Sequence, residues 1–282
     1  MPDKGNGRTH RYHAKGNSVS GRLRLPLDQE IPAQADITLP ETGGYFTQRS
    51  DKFQLDSVLS YRSAYTQVAG NLGTKPGHGW TTLNTTVIEG LNFLEVVTAD
   101  RVVGQVITEY PQEGYVPRIN FLGTRFENLR IAGNPVEIDW NLTILGDKPA
   151  GDASYASEPG VVERVSGQYK HLLSHDNLPA NLRERYNQLS SSLRGAETFE
   201  CSLVNQVTGN LPGRTYGNII DIPDFGKVIL CKVTVTTDPA KGGDPTATKT
   251  NVNLTMIRFE LGCVTDGIVD LGGGDTNGST LP

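Results

Sequence analysis

His171 and His175 stand four residues apart, with Asp176 beside the second. On a helix both imidazoles would share one face, the spacing that zinc metalloproteases use. The segment reads His-Leu-Leu-Ser-His, without the glutamate that would act as general base, and no third ligand is evident. Surface histidines or polar contacts to a neighbour explain the pair more simply. Glu137 and Asp139 lie two apart in a stretch that alternates like a strand. Their carboxylates then share a face about 7 Å apart, near the separation of paired acids in glycosidases. Such acids need contrasting environments, and these share one wet face, so a solvated strand is the plainer reading. Gly77-His78-Gly79-Trp80 sets a tryptophan beside permissive backbone, but after Pro76 it reads as a turn into a strand at Thr81. Trp80, Tyr61, Tyr65 and Tyr115 are the aromatics available as a carbohydrate platform.

Other chemistries find no support. No glycine-rich loop opens a helix with phosphate- or dinucleotide-binding spacing, and Gly-x-Ser-x-Gly is absent. The residues imply no cofactor and no metal. Cys201, Cys231 and Cys263 are far apart, without zinc spacing. Cys231 and Cys263 fall on apolar strand positions and read as core thiols, with a disulfide between them possible but not implied. Asn84, Asn141, Asn253 and Asn277 head Asn-x-Ser/Thr triplets that a Thr-rich chain produces by chance.

The elements that must carry these residues are strands. Val136, Ile138, Trp140, Leu142 and Ile144 point one way, and Glu137, Asp139, Asn141 and Thr143 the other, as in a sheet with one buried face. Further strands are expected at 18–25, 35–39, 53–68, 81–88, 101–110, 119–122, 126–131, 227–237 and 251–264. In the last, Val252, Leu254 and Met256 share one parity, while Ile257, Phe259, Leu261 and Cys263 share the other. That switch predicts a β-bulge or a strand that changes sheets. Turns rich in Gly, Pro and Asn separate the runs. Residues 147–197 interrupt the pattern, with a helix expected over about 179–193, where Leu182, Tyr186, Leu189 and Leu193 recur at helical spacing. The fold class expected is all-β, an antiparallel β-sandwich or jelly-roll with one helical insertion.

Composition agrees. Of 282 residues, 36% are hydrophobic, 20% charged and 7% aromatic, enough for a core without disulfide or metal staples. Gly and Pro make about 17%, too few for a collagen or low-complexity chain. No apolar run approaches the roughly 20 residues that span a bilayer as a helix. The opening residues lack a secretory h-region, so the expectation is a cytoplasmic protein or one exported without a cleaved leader. The net charge is −5, unevenly spread. Residues 1–25 carry six basic side chains against Asp3 alone, +5, leaving 20 basic and 30 acidic residues, −10, for the rest. An acidic body excludes nucleic acid as partner of the main body. Lys4, Arg8, Arg11 and Lys15 mark a basic flexible arm at 1–16. A single β-rich domain at 17–271 and a Gly-rich flexible tail at 272–282 follow.

Two stretches carry a family likeness. Val96-Val97-Thr98-Ala99-Asp100-Arg101-Val102-Val103 and Phe126-Glu127-Asn128-Leu129-Arg130-Ile131-Ala132-Gly133-Asn134-Pro135-Val136 resemble the β-rich bacterial surface proteins called choice-of-anchor proteins. There a "VTAD" strand precedes a "NLxIxGxPV" hairpin. The resemblance covers residues 85–145 and implies an exported, non-enzymatic β domain, with no functional residue to carry over. The function expected is a non-catalytic structural protein that self-assembles into a coat, sheath or fibre, its basic arm docking on the acidic body of the next copy. The alternative is a carbohydrate- or surface-polymer-binding module, and a glycoside hydrolase stands third.

Overall fold

The computed structural model describes residues 4–5, 8–24, 28–73, 78–238, 249–262 and 266–281. Where apolar or small residues alternate with polar ones, the chain extends. The principal strands before the insertion are β1 (Arg8–Leu23), β2 (Gln29–Gln34), β3 (Gly44–Ser50), β4 (Ser63–Leu72), β5 (Trp80–Phe93) and β6 (Val97–Tyr110). The insertion holds α1 (Pro159–Leu173) and α2 (Ala180–Ser192). After it come β7 (Thr198–Ser202), β8 (Gly226–Asp238), β9 (Lys249–Gly262) and β10 (Asp266–Leu281). Every strand pairing among the described residues is antiparallel.

The architecture is an antiparallel β-sandwich with one helical insertion. One sheet runs β1-β10-β9-β8, with β2 beside β1 and β7 beside β8. The other centres on β5 and β6, with β4 and then β3 on one side. The short strands Arg125–Glu127 and Arg130–Ile131 lie on the other side. Residues 96–103 and 126–136 meet here: Val97 pairs with Ile131 and Thr98 with Arg130, and Asn128 donates to Asp100 at 2.6 Å. The main core fills the space between the sheets, with Phe93 stacked on Phe259 at 3.9 Å.

The ends of the chain correct the sequence expectation. Residues 8–16 are not an arm and 272–281 are not a tail. β1 and β10 pair from Thr9↔Leu281 to Leu23↔Gly267, inside a sheet. Low hydrophobicity and glycine mimic a linker here, for a packing reason. His10, Tyr12 and Ala14 are buried and alternate with exposed Arg11 and Lys15, so these two basic residues are merely the wet parity of a strand. The glycines answer to Asn84 on the opposite sheet. Its amide donates to the carbonyls of Lys15 (2.7 Å) and Asp275 (3.2 Å). A Cβ at Gly16 or Gly274 would sit 2.7 or 2.8 Å from that amide, closer than atoms pack.

The parity switch expected at Met256–Ile257 is present, but it is neither a bulge nor a change of sheet. Four strands switch abreast. Ser18, Gly272, Met256 and Cys231 are each passed over by the ladder, while the pairs on both sides keep one register. Gly272 and Cys231 take φ of 63° and 50° there. Buried positions run Val252, Leu254, Met256 before the line and Ile257, Phe259, Leu261 after it. Cys263 lies outside the described residues, as does any pairing with Cys231.

The expected helix at 179–193 is α2. The preceding α1 is a finding beyond the sequence expectation: Pro159 opens it, and Val161, Val165, Tyr169 and Leu172 form its buried stripe. The clearest alternating stretch, 136–144, yields only the four-residue strand Glu137–Trp140, paired with Val204–Thr208, before turns at Asn141 and Thr143 take over.

Replacing Asn84 by Ala leaves the Lys15 and Asp275 carbonyls buried without these donors. The unfolding free energy should fall by about 1–3 kcal/mol, read by urea titration with circular dichroism.

Candidate functional site

The residues proposed as a carbohydrate platform do not form one. Trp80 is 0% exposed, stacked on the His10 ring at 5.3 Å. Tyr61 is 2% exposed, its hydroxyl 2.7 Å from Ser50 Oγ. Both are core residues, because their positions face the opposite sheet. Tyr65 is half-buried on the outer face, its hydroxyl accepting from Arg101 at 3.1 Å. Tyr115 lies in a loop, half-buried under the Arg8 guanidinium, 4.5 Å from its ring centre.

The arm residues are equally dispersed. Lys4 lies in the short strand Lys4–Gly5, hairpinned on β1. Arg8 donates to the carbonyls of Gln112 (2.7 Å) and Gly114 (3.0 Å) and is held inside its own chain. Arg11 stands 3.9 Å from Glu41, and Lys15 is exposed on the outer face of β1.

The other candidates resolve locally. His171 and His175 sit 5.4 Å apart, edge to face, and His175 packs on Tyr216. Among the described residues no group of three His, Cys, Asp or Glu side chains is placed to hold a metal ion. Glu137 accepts from Thr208 (3.3 Å) and Asp139 from Asn205 (3.2 Å) on an exposed strand. Cys201 and Cys231 are buried free thiols, and burial pushes both well above the usual thiol range.

What stands out is a sheet edge. Among the described residues β3 pairs with β4 alone, from Gly44↔Gly70 to Ser50↔Ala64. A turn at 41–44 launches it, with Gly43 at φ 77° and its N–H bonded to the Pro40 carbonyl at 2.9 Å. Tyr45, Phe46 and Thr47 are good strand formers. Gly44 to Arg49 are exposed on both faces of the sheet; Tyr45 is 66% and Phe46 41% exposed. The strand holds no proline and no lysine, and Arg49 is its one charge.

The neighbouring edges are guarded. β2 carries Pro32, and the hairpin strand Asn134–Pro135 ends in proline; a residue without an N–H cannot extend a ladder. Arg214–Tyr216, at the far end of the first sheet, is three residues long. β7 is longer, but α1 covers it with side chains that imitate a strand. Gln168 accepts from Ser202 N–H (3.1 Å) and donates to Ser202 C=O (2.9 Å). The Tyr169 hydroxyl donates to the Glu200 carbonyl. Behind them the Glu200 carboxylate takes Lys232 Nζ and Arg185 Nη2, both at 2.6 Å, pinning α2 to the sheet. The crevice among these groups has a free interior of about 30 Å³.

Sequence reasoning missed Tyr45, Phe46 and Thr47 because a strand wet on both faces shows no alternation. Gln168 and Tyr169 were hidden with α1; the spacing of Val161, Val165, Tyr169 and Leu172 was the available signal.

Burial alone would raise the Glu200 carboxyl, but the hydrogen bond and charge of Lys232, with Arg185, outweigh it and hold it below the usual carboxylate range. A lowered folded value stabilises the fold above the unfolded pKa, about 4.3, and the contribution is lost as pH falls through the folded value. The stability gap between wild type and Glu200→Gln should therefore be full at pH 7 and shrink progressively below about pH 4.3. Urea titrations across that range check it.

A family model described as a domain of unknown function, DUF8256, matches residues 10–236. No curated protein and no solved structure matches the chain.

Proposed function

The chain belongs to the DUF8256 family, and from its geometry we propose that it is a non-catalytic structural protein that self-assembles, as a subunit of a coat, sheath or extracellular fibre. The observation that carries this is the bare β3 edge. An exposed strand edge offers a row of N–H and C=O groups to any extended chain, and proteins that stay monomeric cover, shorten or charge such edges. This one does so at β2, β7 and Asn134–Pro135 but not at β3, where it adds two exposed aromatics. The likeness of residues 85–145 to choice-of-anchor surface proteins supports the same reading.

The route is not the one the sequence suggested. Docking through the described part of the basic arm is disfavoured, since residues 8–16 are paired in β1 and Arg8 is bound within its own chain. The carbohydrate-binding alternative loses Trp80 and Tyr61 to the core, while Tyr65 is engaged by Arg101 and Tyr115 by Arg8. Among the described residues no helix is long and apolar enough to cross a membrane.

Light scattering and negative-stain microscopy of the full chain test the proposal. Wild type should show mass well above the 30.6 kDa of one chain. Tyr45→Lys with Thr47→Lys, both exposed, should return the mass to one chain with an unchanged circular dichroism spectrum. Monomeric wild type at high concentration and low salt would overturn the reading.

A further inference from the structure

The bare edge also carries information about what covers it. Resting on the self-assembly reading, we propose that the occupant of β3 is the β3 strand of a second copy, paired antiparallel about a two-fold axis at Thr47. The unit of assembly is then a closed dimer whose sheets join edge to edge into one continuous sheet.

Three features of the strand fix this arrangement. β3 spans Gly44 to Ser50, so Thr47 is its central residue. The antiparallel self-pairing that uses the whole strand sets Thr47 against Thr47, Phe46 against Gln48, Tyr45 against Arg49 and Gly44 against Ser50. A two-fold axis demands such reciprocity, since the same patch must serve both copies.

That register is also the chemically complementary one. Tyr45, Thr47 and Arg49 share one face, because strand side chains alternate. On it each Arg49 meets the second copy's Tyr45, so a guanidinium lies beside an aromatic face twice over. The two Arg49 charges stay apart by four residue steps, about 14 Å at strand rise, beyond a Debye length at physiological salt. Moving the axis to Arg49 would set like charges directly opposite, which disfavours a strand pair. In the proposed register, the hydroxyls of two threonines, a favourable cross-strand pair, occupy the centre.

The other face explains the exposed Phe46. Each Phe46 stands opposite the second copy's Gln48 and diagonal to the second copy's Phe46, a separation that aromatic side chains bridge. Two rings now in water would cover each other. The neighbouring exposed pair, Arg49 with Asp51 at 3.1 Å, is a surface ion pair of small value. It does not hold Arg49 away from a ring.

Cysteine cross-linking of the full chain tests both the partner and the register. Residues directly opposed across an antiparallel pair have Cα atoms about 4.5–5.5 Å apart, within the range a disulfide spans. Under mild oxidation Thr47→Cys should double in mass on a non-reducing gel. Tyr45→Cys alone and Arg49→Cys alone should stay at one chain, and an equimolar mixture of the two should cross-link. Wild type is the control, since Cys201 and Cys231 are buried. If light scattering shows assembly but Thr47→Cys does not cross-link, or Tyr45→Cys does so alone, the two-fold register is wrong while self-assembly stands. If every variant and wild type are monomers, both readings fall together.

Discussion

The close approach of the two sheets at Asn84 is the constraint on which this structure rests. One amide from β5 reaches across the sandwich to the carbonyls of Lys15 and Asp275, which lie opposite each other on β1 and β10. It therefore ties together the two ends of the chain and both layers. The contact demands glycine at positions 16 and 274, where a Cβ would collide with it. It also demands that β1 and β10 already be paired. Nearly the whole chain lies between these strands, yet loop closure costs only about 0.6 kcal/mol more for each doubling of length. The burden is on rate, since pairings distant in sequence form late. Stability is borne by the buried face that the two strands share with β9 and β8.

The line through Ser18, Gly272, Met256 and Cys231 follows from the same closeness. Around Asn84 the interior is lined by small and polar groups, Gly16, Gly274, Thr66, Thr86 and Thr276, and beyond them by the aromatic cluster of Tyr12, Trp80 and Tyr110. Across the line it is lined by Phe93, Phe259, Ile257 and Leu230. A sheet with strict alternation would carry one parity along its length. Switching parity in four adjacent strands at once changes which residues of this sheet face inward along one line, with the register intact. Cys231 takes a positive φ on this line, a conformation that costs a side-chain-bearing residue roughly 1–2 kcal/mol, and its thiol is fully buried.

This explains how far the sequence could be read. β6, β8 and β9 were legible because their apolar residues alternate, and even the switch at Met256 showed as a change of phase. The ends were not. Glycine, serine and scattered arginine have the composition of a linker, and only close contacts within the fold, Asn84 at Gly16 and Gly274, His10 at Gly278 and Met256 at Gly272, give those glycines a reason. Trp80 and Tyr61 looked like ligand platforms because side-chain type does not reveal which face of a strand it occupies, and here that face is the core. The β3 edge was invisible for the opposite cause: nothing is buried on either side of it, so no pattern marks it.

With β1 and β10 paired inside a sheet, its edges fall on other strands. One is the short strand Lys4–Gly5, and the longer edges need their own protection. Proline serves at β2 and at Asn134–Pro135, shortness at Arg214–Tyr216, and side chains of α1 at β7. The helical insertion thus protects an edge. Gln168 and Tyr169 occupy a strand's place, and Glu200 with Lys232 and Arg185 keeps the helices there. β3 is outside the reach of that insertion, on the other sheet. A two-fold pairing at β3 closes on itself and stops at two copies. A coat, sheath or fibre built from such dimers must therefore use a second surface of different character.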